Sequence, residues 1–178
     1  MTHEAGLRGC SRELGHFLEL VRGLEPKLGP LLVQLPPSLE FEMRPAGQFL
    51  RCLRKDYSGD VVWEPRHATW FGARATALLE QHRVARVAAD PAPCAGAELP
   101  AAFAGVEYHR LHGSPRKYYS EYSPAYLEAL ALALRTPRAG EPRVIWCMFD
   151  NTALGAALPN AIELSRRLAI DAVRARRR

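Results

Sequence analysis

The sequence predicts an α/β fold with five parallel strands, and two observations support that prediction. Short apolar runs, typical of buried strands, alternate with stretches whose apolar residues recur at helical spacing. Each predicted strand also ends in polar side chains, as expected where parallel strands meet at a common edge. The length of 178 residues indicates one domain, over residues 1–178, with a sizeable core.

The first half of the chain contains three predicted helices and two strands. The first helix has its apolar residues on one face and Ser11 as its expected cap. The first strand is short, apolar and followed by two prolines, which is typical of a buried strand. Pro45 suits the first turn of the second helix. The predicted elements are a helix over 11–25, a strand over 31–33, a helix from about 45, a strand over 60–64 and a helix over 69–82.

The second half continues the alternation with one interruption. Residues 91–105 contain too many prolines and glycines for a long helix and predict a loop. Ser123 is expected to cap the next helix, with Pro124 at its first position. Alternation of this kind predicts parallel βαβ units. The predicted elements are strands over 84–90, 106–113 and 143–150, and helices over 123–134 and 157–170.

Polar side chains stand at or just after the ends of all five predicted strands. Ligands of parallel α/β folds bind at that edge, because loops and helix N-termini converge there. The alternative is that strand ends are polar because the chain turns into solvent. Since five strands in succession share the feature, we favour a site. Its candidate residues are Gln34, Glu64, Arg66, His67, Asp90, Arg110, His112 and Asn151.

Three of these residues are candidates for catalysis. His112 is the expected acid or base, because histidine ordinarily titrates near neutral pH and Gly113 beside it leaves room for a substrate. A packed histidine is the alternative. Glu64 and Asp90 are candidate catalytic carboxylates, and with the histidines they would suit a divalent metal. No His-x-His or His-Glu-x-x-His spacing supports that metal.

The other candidates are expected to bind a ligand. Arg66 and Arg110 can hold a phosphate or carboxylate through paired donors. Structural pairing with the carboxylates of the site is an equally good interpretation for both. Tyr118 can stack on a base or sugar ring, or it can close its loop over the site. The remaining ligand-binding candidates are Gln34, His67 and Asn151.

Charge and cysteine usage bound the partners and the compartment. The net charge of +5 permits anionic partners, including nucleic acid. The arginine-rich tail at 174–178 is either a solvated terminus or a nucleic-acid arm. Four scattered cysteines without a Cys-x-x-Cys pair indicate reduced thiols in a cytoplasmic protein rather than a zinc site. No signal peptide or membrane-spanning run is evident.

Four short motifs follow one another along the chain: GPLLVQLPP at 29–37, EPRHATWF at 64–71, YHRLHGSPRKYYSEYSPAYL at 108–127 and FDNTALGAALPNA at 149–161. Together they make nearly the whole chain resemble the domain of unknown function 72 (DUF72, YecE-like) family. The resemblance implies a TIM-like (β/α)₈ barrel, here a partial barrel with about five parallel strands and their helices. It implies no reaction, because none is established for the family.

The chain departs from the family pattern in two ways. Pro65, Ala68 and Asp150 replace residues usual in the family, and Asp150 adds a charge where asparagine is common. The family's three earlier strands are also not found. Either the start was assigned too late or the protein is a genuine fragment. We favour the first, because an open parallel sheet leaves two edges unpaired. Oligomerisation through those edges is the expected consequence for this chain alone.

The sequence leaves two classes of function. The first is an enzyme that acts on a small anionic or phosphorylated substrate, or on a nucleic-acid backbone, at the barrel mouth, with or without a divalent metal. The second is a non-catalytic module that binds nucleic acid or another anionic ligand, or a truncated, inactive family member. Metal bound to the purified full-length protein would favour the first class, whereas salt-sensitive binding to DNA or RNA without turnover would favour the second.

Overall fold

A computed structural model describes residues 1–24, 26–136 and 144–175. The predicted positions Glu25 and Arg143, and the side chains of the arginine-rich tail, lie outside the described residues. The strands of the described part are β1 (Leu31–Gln34), β2 (Val61–Glu64), β3 (Ala85–Arg86), β4 (Ala88–Asp90), β5 (Ala101–Ala102), β6 (Val106–Leu111) and β7 (Val144–Phe149). Its helices are α1 (Ser11–Arg22), α2 (Met43–Asp56), α3 (Ala73–Gln81), α4 (Pro124–Arg135) and α5 (Ala157–Ala175), with a 3₁₀ helix at Ala68–Phe71.

The strands run parallel in chain order, with one short exception. β1 pairs with β2 and β2 with β3, while β4 pairs with β6 and β6 with β7, all in parallel register. β3 and β4 are separated only by Val87, whose N–H donates to the carbonyl of Trp63 at 2.9 Å. The segment from β3 to β4 therefore joins the two sheets. The predicted α/β fold with parallel strands is confirmed; the described residues form no closed barrel.

The structure corrects the prediction for the middle of the chain. The single strand predicted over 84–90 is divided at Val87, because β3 continues the pairing with β2 while β4 pairs with β6. The region predicted as a loop over 91–105 contains β5, which pairs with β3 in antiparallel register. A strand of two residues has no periodic pattern, so the sequence gives no signal for it.

The first helix also differs from its prediction. α1 ends at Arg22, and its N-cap is Cys10 without a side-chain hydrogen bond, so the predicted cap by Ser11 is wrong. The hydroxyl of Ser11 instead lies 3.4 Å from the sulfur of Cys52 on α2. This contact links the first turn of α1 to the neighbouring helix.

The other helix starts agree more closely with the sequence. Ser123 caps α4 by accepting the N–H of Tyr126, with Pro124 in the first turn, as predicted. Pro45 lies in the first turn of α2. The helix predicted over 69–82 is divided at Gly72 into the 3₁₀ helix and α3.

Apolar side chains fill both faces of the strands. The largest core lies between β1, β2 and the helices α1 to α3. Its centre is aromatic, because the fully buried rings of Trp63 and Trp70 are 5.4 Å apart and Phe49 packs edge-on against Trp63 at 5.8 Å. A second core joins β6 and β7 to α4 and α5. A small third cluster lies on the other face of the strands and includes Val62 and Tyr108.

β7 is an edge strand of its sheet. The side chains of Val144, Trp146 and Met148 are exposed, whereas Val106 and Tyr108, the register partners of the first two on β6, are buried. An apolar edge of this kind is a surface on which another chain can pair. Oligomerisation nevertheless stays a prediction.

Two further findings concern the helices and the cysteines. No helix in the described ranges combines the length and the apolarity that crossing a membrane requires. All four cysteines are free.

Candidate functional site

The carboxyl ends of three strands converge on one guanidinium group, that of Arg110 on β6. Its Nη1 donates to Gln34 Oε1 at 3.0 Å and to Glu64 Oε2 at 2.8 Å. Its Nη2 donates to Asp150 Oδ2, just after β7, at 2.6 Å. Arg110 therefore ties the ends of β1, β2 and β7 together. With His112 and Arg66, these residues form what we call the strand-end site.

His112 lies between the two carboxylates of this site. It follows β6, and its backbone N–H donates to the backbone carbonyl of Asp90 at 2.8 Å. Nδ1 lies 2.9 Å from Asp150 Oδ2, and Nε2 lies 3.4 Å from Glu64 Oε1. The residue is only 1% exposed. An imidazolium can donate to both carboxylates, whereas neutral imidazole can donate to only one.

Burial and neighbouring charges shift the pKa values of Glu64 and Arg110 in opposite directions. Burial by itself would raise the pKa of Glu64, but the hydrogen bond with His112 and the charge of Arg110 bring it below its ordinary value. Burial by itself would lower the pKa of Arg110, but Glu64 and Asp150 raise it above its ordinary value. Both groups are therefore charged at neutral pH, and the charge of each offsets the cost of burying the other.

Of the two arginines in the strand-end site, Arg66 has the weaker contacts with the protein. Its Nη2 lies 3.8 Å from Glu64 Oε1, which is an ion pair but too long for a hydrogen bond. Its side chain is 23% exposed, against 15% for Arg110. A ligand at the strand-end site can therefore recruit Arg66 without breaking a hydrogen bond within the protein.

Asp90 is not brought into this site. In the parallel register Ala89 pairs with Arg110 and Asp90 with Leu111, so Asp90 falls on the opposite face of the strands. There it accepts the hydroxyl of Tyr122 at 2.7 Å. Burial, followed by this hydrogen bond, raises the pKa of Tyr122 above its ordinary value. Asp90 therefore anchors the chain after β6, and the geometry gives it no place beside His112.

Asn151 lies beside the site but is engaged elsewhere. It is fully buried, and its Nδ2 donates to the carbonyl of Ser120 and to Asn160 Oδ1, both at 3.0 Å. Asn160 in turn accepts the N–H of Tyr122 and donates to its carbonyl. These bonds fix the approach to α4. The Oδ1 of Asn151 has no hydrogen-bond partner among the described residues.

His67 is also engaged outside the strand-end site. Its Nδ1 lies 3.0 Å from Thr69 Oγ1 and accepts the N–H of Thr69, which caps the 3₁₀ helix. Its Nε2 lies 3.9 Å from Glu40 Oε1. Local hydrogen bonding after β2 therefore accounts for Nδ1 of His67, whereas Nε2 has only a long contact with the carboxylate of Glu40.

Asp150 is the residue of the site that the candidate set omits. It follows the last strand, where the strand-end argument already pointed, but its neighbour Asn151 was selected in its place. Both Arg110 and His112 bond to one oxygen of Asp150. The position of Asp150 at the end of a predicted strand is the signal that could have found it.

The arrangement does not suit a divalent metal. Among the described residues, no group of three or more histidine, cysteine, aspartate or glutamate side chains is placed to hold one. Glu64 and Asp150 both face the guanidinium of Arg110, which takes the position between them that a cation would need.

Tyr118 is placed next to the strand-end site. Its ring centroid lies 5.6 Å from that of His112, with the two rings nearly perpendicular at 88°. Of the nine candidate residues, the structure thus brings together Gln34, Glu64, Arg66, Arg110 and His112, with Tyr118 beside them. It places Asp90, His67 and Asn151 in neighbouring structural networks.

Comparison with known proteins identifies the family. A model of the family described as protein of unknown function DUF72 matches residues 1–178. The chain belongs to the DUF72 family. No curated protein matches the chain.

Two solved DUF72 structures show the same fold. A DUF72 protein from Thermotoga maritima is 23% identical with a TM-score of 0.75, and the match covers 94% of this chain and 70% of that one. A DUF72 protein from Enterococcus faecalis is 20% identical with a TM-score of 0.71, covering 93% and 72%. At these identities the likeness concerns the fold alone.

Proposed function

We propose that this DUF72 chain carries an active site for a small anionic or phosphorylated substrate at the carboxyl ends of its strands, with His112 as acid or base. The observation that carries the proposal is a buried imidazole held between two carboxylates. In parallel α/β proteins this edge is where ligands bind. The parallel strand order supports the further proposal that these strands are part of a TIM-like barrel.

The two ring nitrogens of His112 differ in how firmly they are held. The contact of Nδ1 with Asp150 is 2.9 Å, whereas that of Nε2 with Glu64 is 3.4 Å. A firm bond at one nitrogen orients the ring and leaves the other nitrogen for the substrate. We therefore assign the proton transfer to Nε2 and the orienting role to Asp150.

Arg66 is the proposed contact for the anionic group. Arg110 already donates three hydrogen bonds to Gln34, Glu64 and Asp150. Its role is to hold the carboxylates in place. The long ion pair of Arg66 and the Nε2 contact of His112 both involve Oε1 of Glu64. A phosphate that pairs with Arg66 would therefore lie next to Nε2 of His112.

The first experiment measures binding and turnover separately. Inorganic phosphate should raise the thermal midpoint of the protein, because a ligand that binds only the folded state stabilises it. Arg66→Ala should abolish the rise. In a panel of phosphate esters, any turnover should be lost in His112→Asn and retained in the control variant His67→Asn. Absence of a phosphate response in the wild-type protein would contradict the proposal.

A non-catalytic anion-binding module is the second candidate. The burial of His112 favours it, since the proposed acid or base is only 1% exposed. In that case phosphate or nucleic acid binds without turnover, and His112→Asn changes the affinity but no rate.

We also propose a cytoplasmic location and self-association of this chain. The four free cysteines support the first proposal, and the exposed apolar side chains of β7 support the second. Light scattering tests self-association: the mass should rise with concentration, and Trp146→Lys should reduce that rise.

A further inference from the structure

The chain after His112 forms a tightly folded loop beside the site, residues 113–122, which we call the β6–α4 loop. Gly113 has a φ of +91°, and a Cβ there would lie 2.6 Å from the carbonyl oxygen of Ser120. Only glycine is compatible with so close an approach. The loop is therefore folded back on itself, and its side chains are held at fixed places above the strand ends.

Tyr118 has an unusual backbone conformation in this loop. Its φ is +69°, which is rare and unfavourable for an aromatic residue. Both of its backbone polar groups are bonded: the N–H donates to the carbonyl of His112, and the carbonyl accepts the N–H of Ala153. The surroundings thus impose a strained conformation that leaves the residue 40% exposed, with its ring edge-on to His112.

The β6–α4 loop contains two cations, Arg116 and Lys117, and one carboxylate, Glu121, so its net charge is +1 (2 − 1). Neither Arg116 nor Lys117 forms an ion pair with a carboxylate of the described part of the chain. Arg116 lies over the ring of Tyr119 at 3.8 Å, and the Lys117 amine lies 5.1 Å from the ring centroid of Tyr118. Within the strand-end site, by contrast, two arginines face two carboxylates. The loop therefore makes the neighbourhood of His112 net positive.

We infer that the ligand of the strand-end site is a nucleotide, with its base stacked on Tyr118 and its phosphate held by Arg66 and the cations of the loop. Bases stack on tyrosine rings without needing sequence-specific contacts. A strained, exposed aromatic ring beside a buried imidazole is costly for the fold unless the ring has a ligand to contact. This inference rests on the proposed anion site and names its ligand class.

Tyr119 provides a matched control within the same loop. The residue is 39% exposed, almost the same as Tyr118, but the guanidinium of Arg116 lies over the face of its ring. The two tyrosines are thus almost equally exposed, but only Tyr118 has its ring against that of His112. Tyr118→Gly is the preferred deletion, because glycine adopts a positive φ without strain and the loop should keep its conformation.

The test compares the dissociation constants of adenosine monophosphate, ribose 5-phosphate and inorganic phosphate by calorimetry. In the wild-type protein the nucleotide should bind about tenfold more tightly than ribose 5-phosphate, as expected for one stacked base. Tyr118→Gly should reduce that ratio to about twofold or less, while Tyr119→Ala and Tyr118→Phe should keep it. Circular dichroism of each variant verifies its fold.

Different failures have different meanings. Equal affinity of the wild-type protein for the nucleotide and ribose 5-phosphate would overturn this inference but leave the anion site intact. Loss of the ratio in Tyr119→Ala but not in Tyr118→Gly would also overturn it. No binding of any phosphate compound would overturn the anion site itself. If a single-stranded oligonucleotide binds much more tightly than adenosine monophosphate, the ligand is a polynucleotide, and the inference of a small nucleotide is overturned.

Discussion

One oxygen of Asp150 contacts both His112 and Arg110. Oδ2 lies 2.9 Å from Nδ1 of His112 and 2.6 Å from Nη2 of Arg110. The candidate acid or base and the cation that holds the carboxylates together are therefore coupled through one atom. A change at either residue alters the hydrogen bond that the other one makes.

Replacing Arg110 by alanine should destabilise the protein far more than replacing Arg66. Arg110 is the closest partner of Glu64, whose side chain is only 4% exposed, so its removal leaves a buried carboxylate with only the longer contacts to His112 and Arg66. Such losses cost about 3–5 kcal/mol. Arg66→Ala, which removes only a longer ion pair, should cost about 1 kcal/mol or less. Urea denaturation measures both. Equal losses of stability in the two variants would refute the role of Arg110 in holding the carboxylates in place.

The two buried tryptophans should respond differently to replacement by phenylalanine. Trp70 donates its indole N–H to the carbonyl of Leu39 at 2.9 Å, whereas the N–H of Trp63 has no partner among the described residues. Trp70→Phe loses a hydrogen bond, but Trp63→Phe removes a buried donor that was unsatisfied. We expect Trp70→Phe to cost at least about 1 kcal/mol more. Thermal denaturation of the two variants provides the comparison, and the reverse order would contradict it.

Most of the site could be predicted from the sequence because parallel strands end at one edge. Glu64 ends an apolar run, and Arg110 and His112 lie near the end of the predicted strand over 106–113, so that simple rule brings them together. The rule fails for Asp90, because the predicted strand VARVAAD is divided at Val87, and alternation along it does not show which way the last side chain points. The partner of Asn151 is Asn160 on α5, and no local pattern shows such a hydrogen bond.

The broken third strand escaped prediction for a related reason. Propensity and periodicity describe one strand over 84–90, but the division at Val87 depends on which neighbour each half pairs with. β5 is too short to have a pattern. The positive φ of Tyr118 also has no sequence signal, because tyrosine does not favour it. These features arise from tertiary packing.

Glu64→Gln should reduce the loss of stability in acid. Burial alone would raise the pKa of Glu64, but His112 and Arg110 lower it below its ordinary value of 4.5. A carboxyl with a depressed folded pKa contributes stability above 4.5, which is lost as the pH falls through the folded pKa. The free energy of unfolding should therefore depend less on pH below 4.5 in the variant. Glu98→Gln, in an exposed loop, is the control and should keep the wild-type slope.

Asp150→Asn should separate stability from anion binding. Asparagine keeps one oxygen that can accept from Arg110 and His112, and the side chain of Asp150 is 35% exposed, so the cost in stability should stay near 1 kcal/mol. The substitution also removes one negative charge beside Arg110, which leaves the strand-end site more positive. Phosphate should then bind several-fold more tightly than to the wild-type protein. Calorimetric titration with phosphate, together with urea denaturation, measures both effects. A stable variant with weaker phosphate binding would contradict this prediction and would show that the carboxylate supports the anion site indirectly, through its contacts with His112 and Arg110.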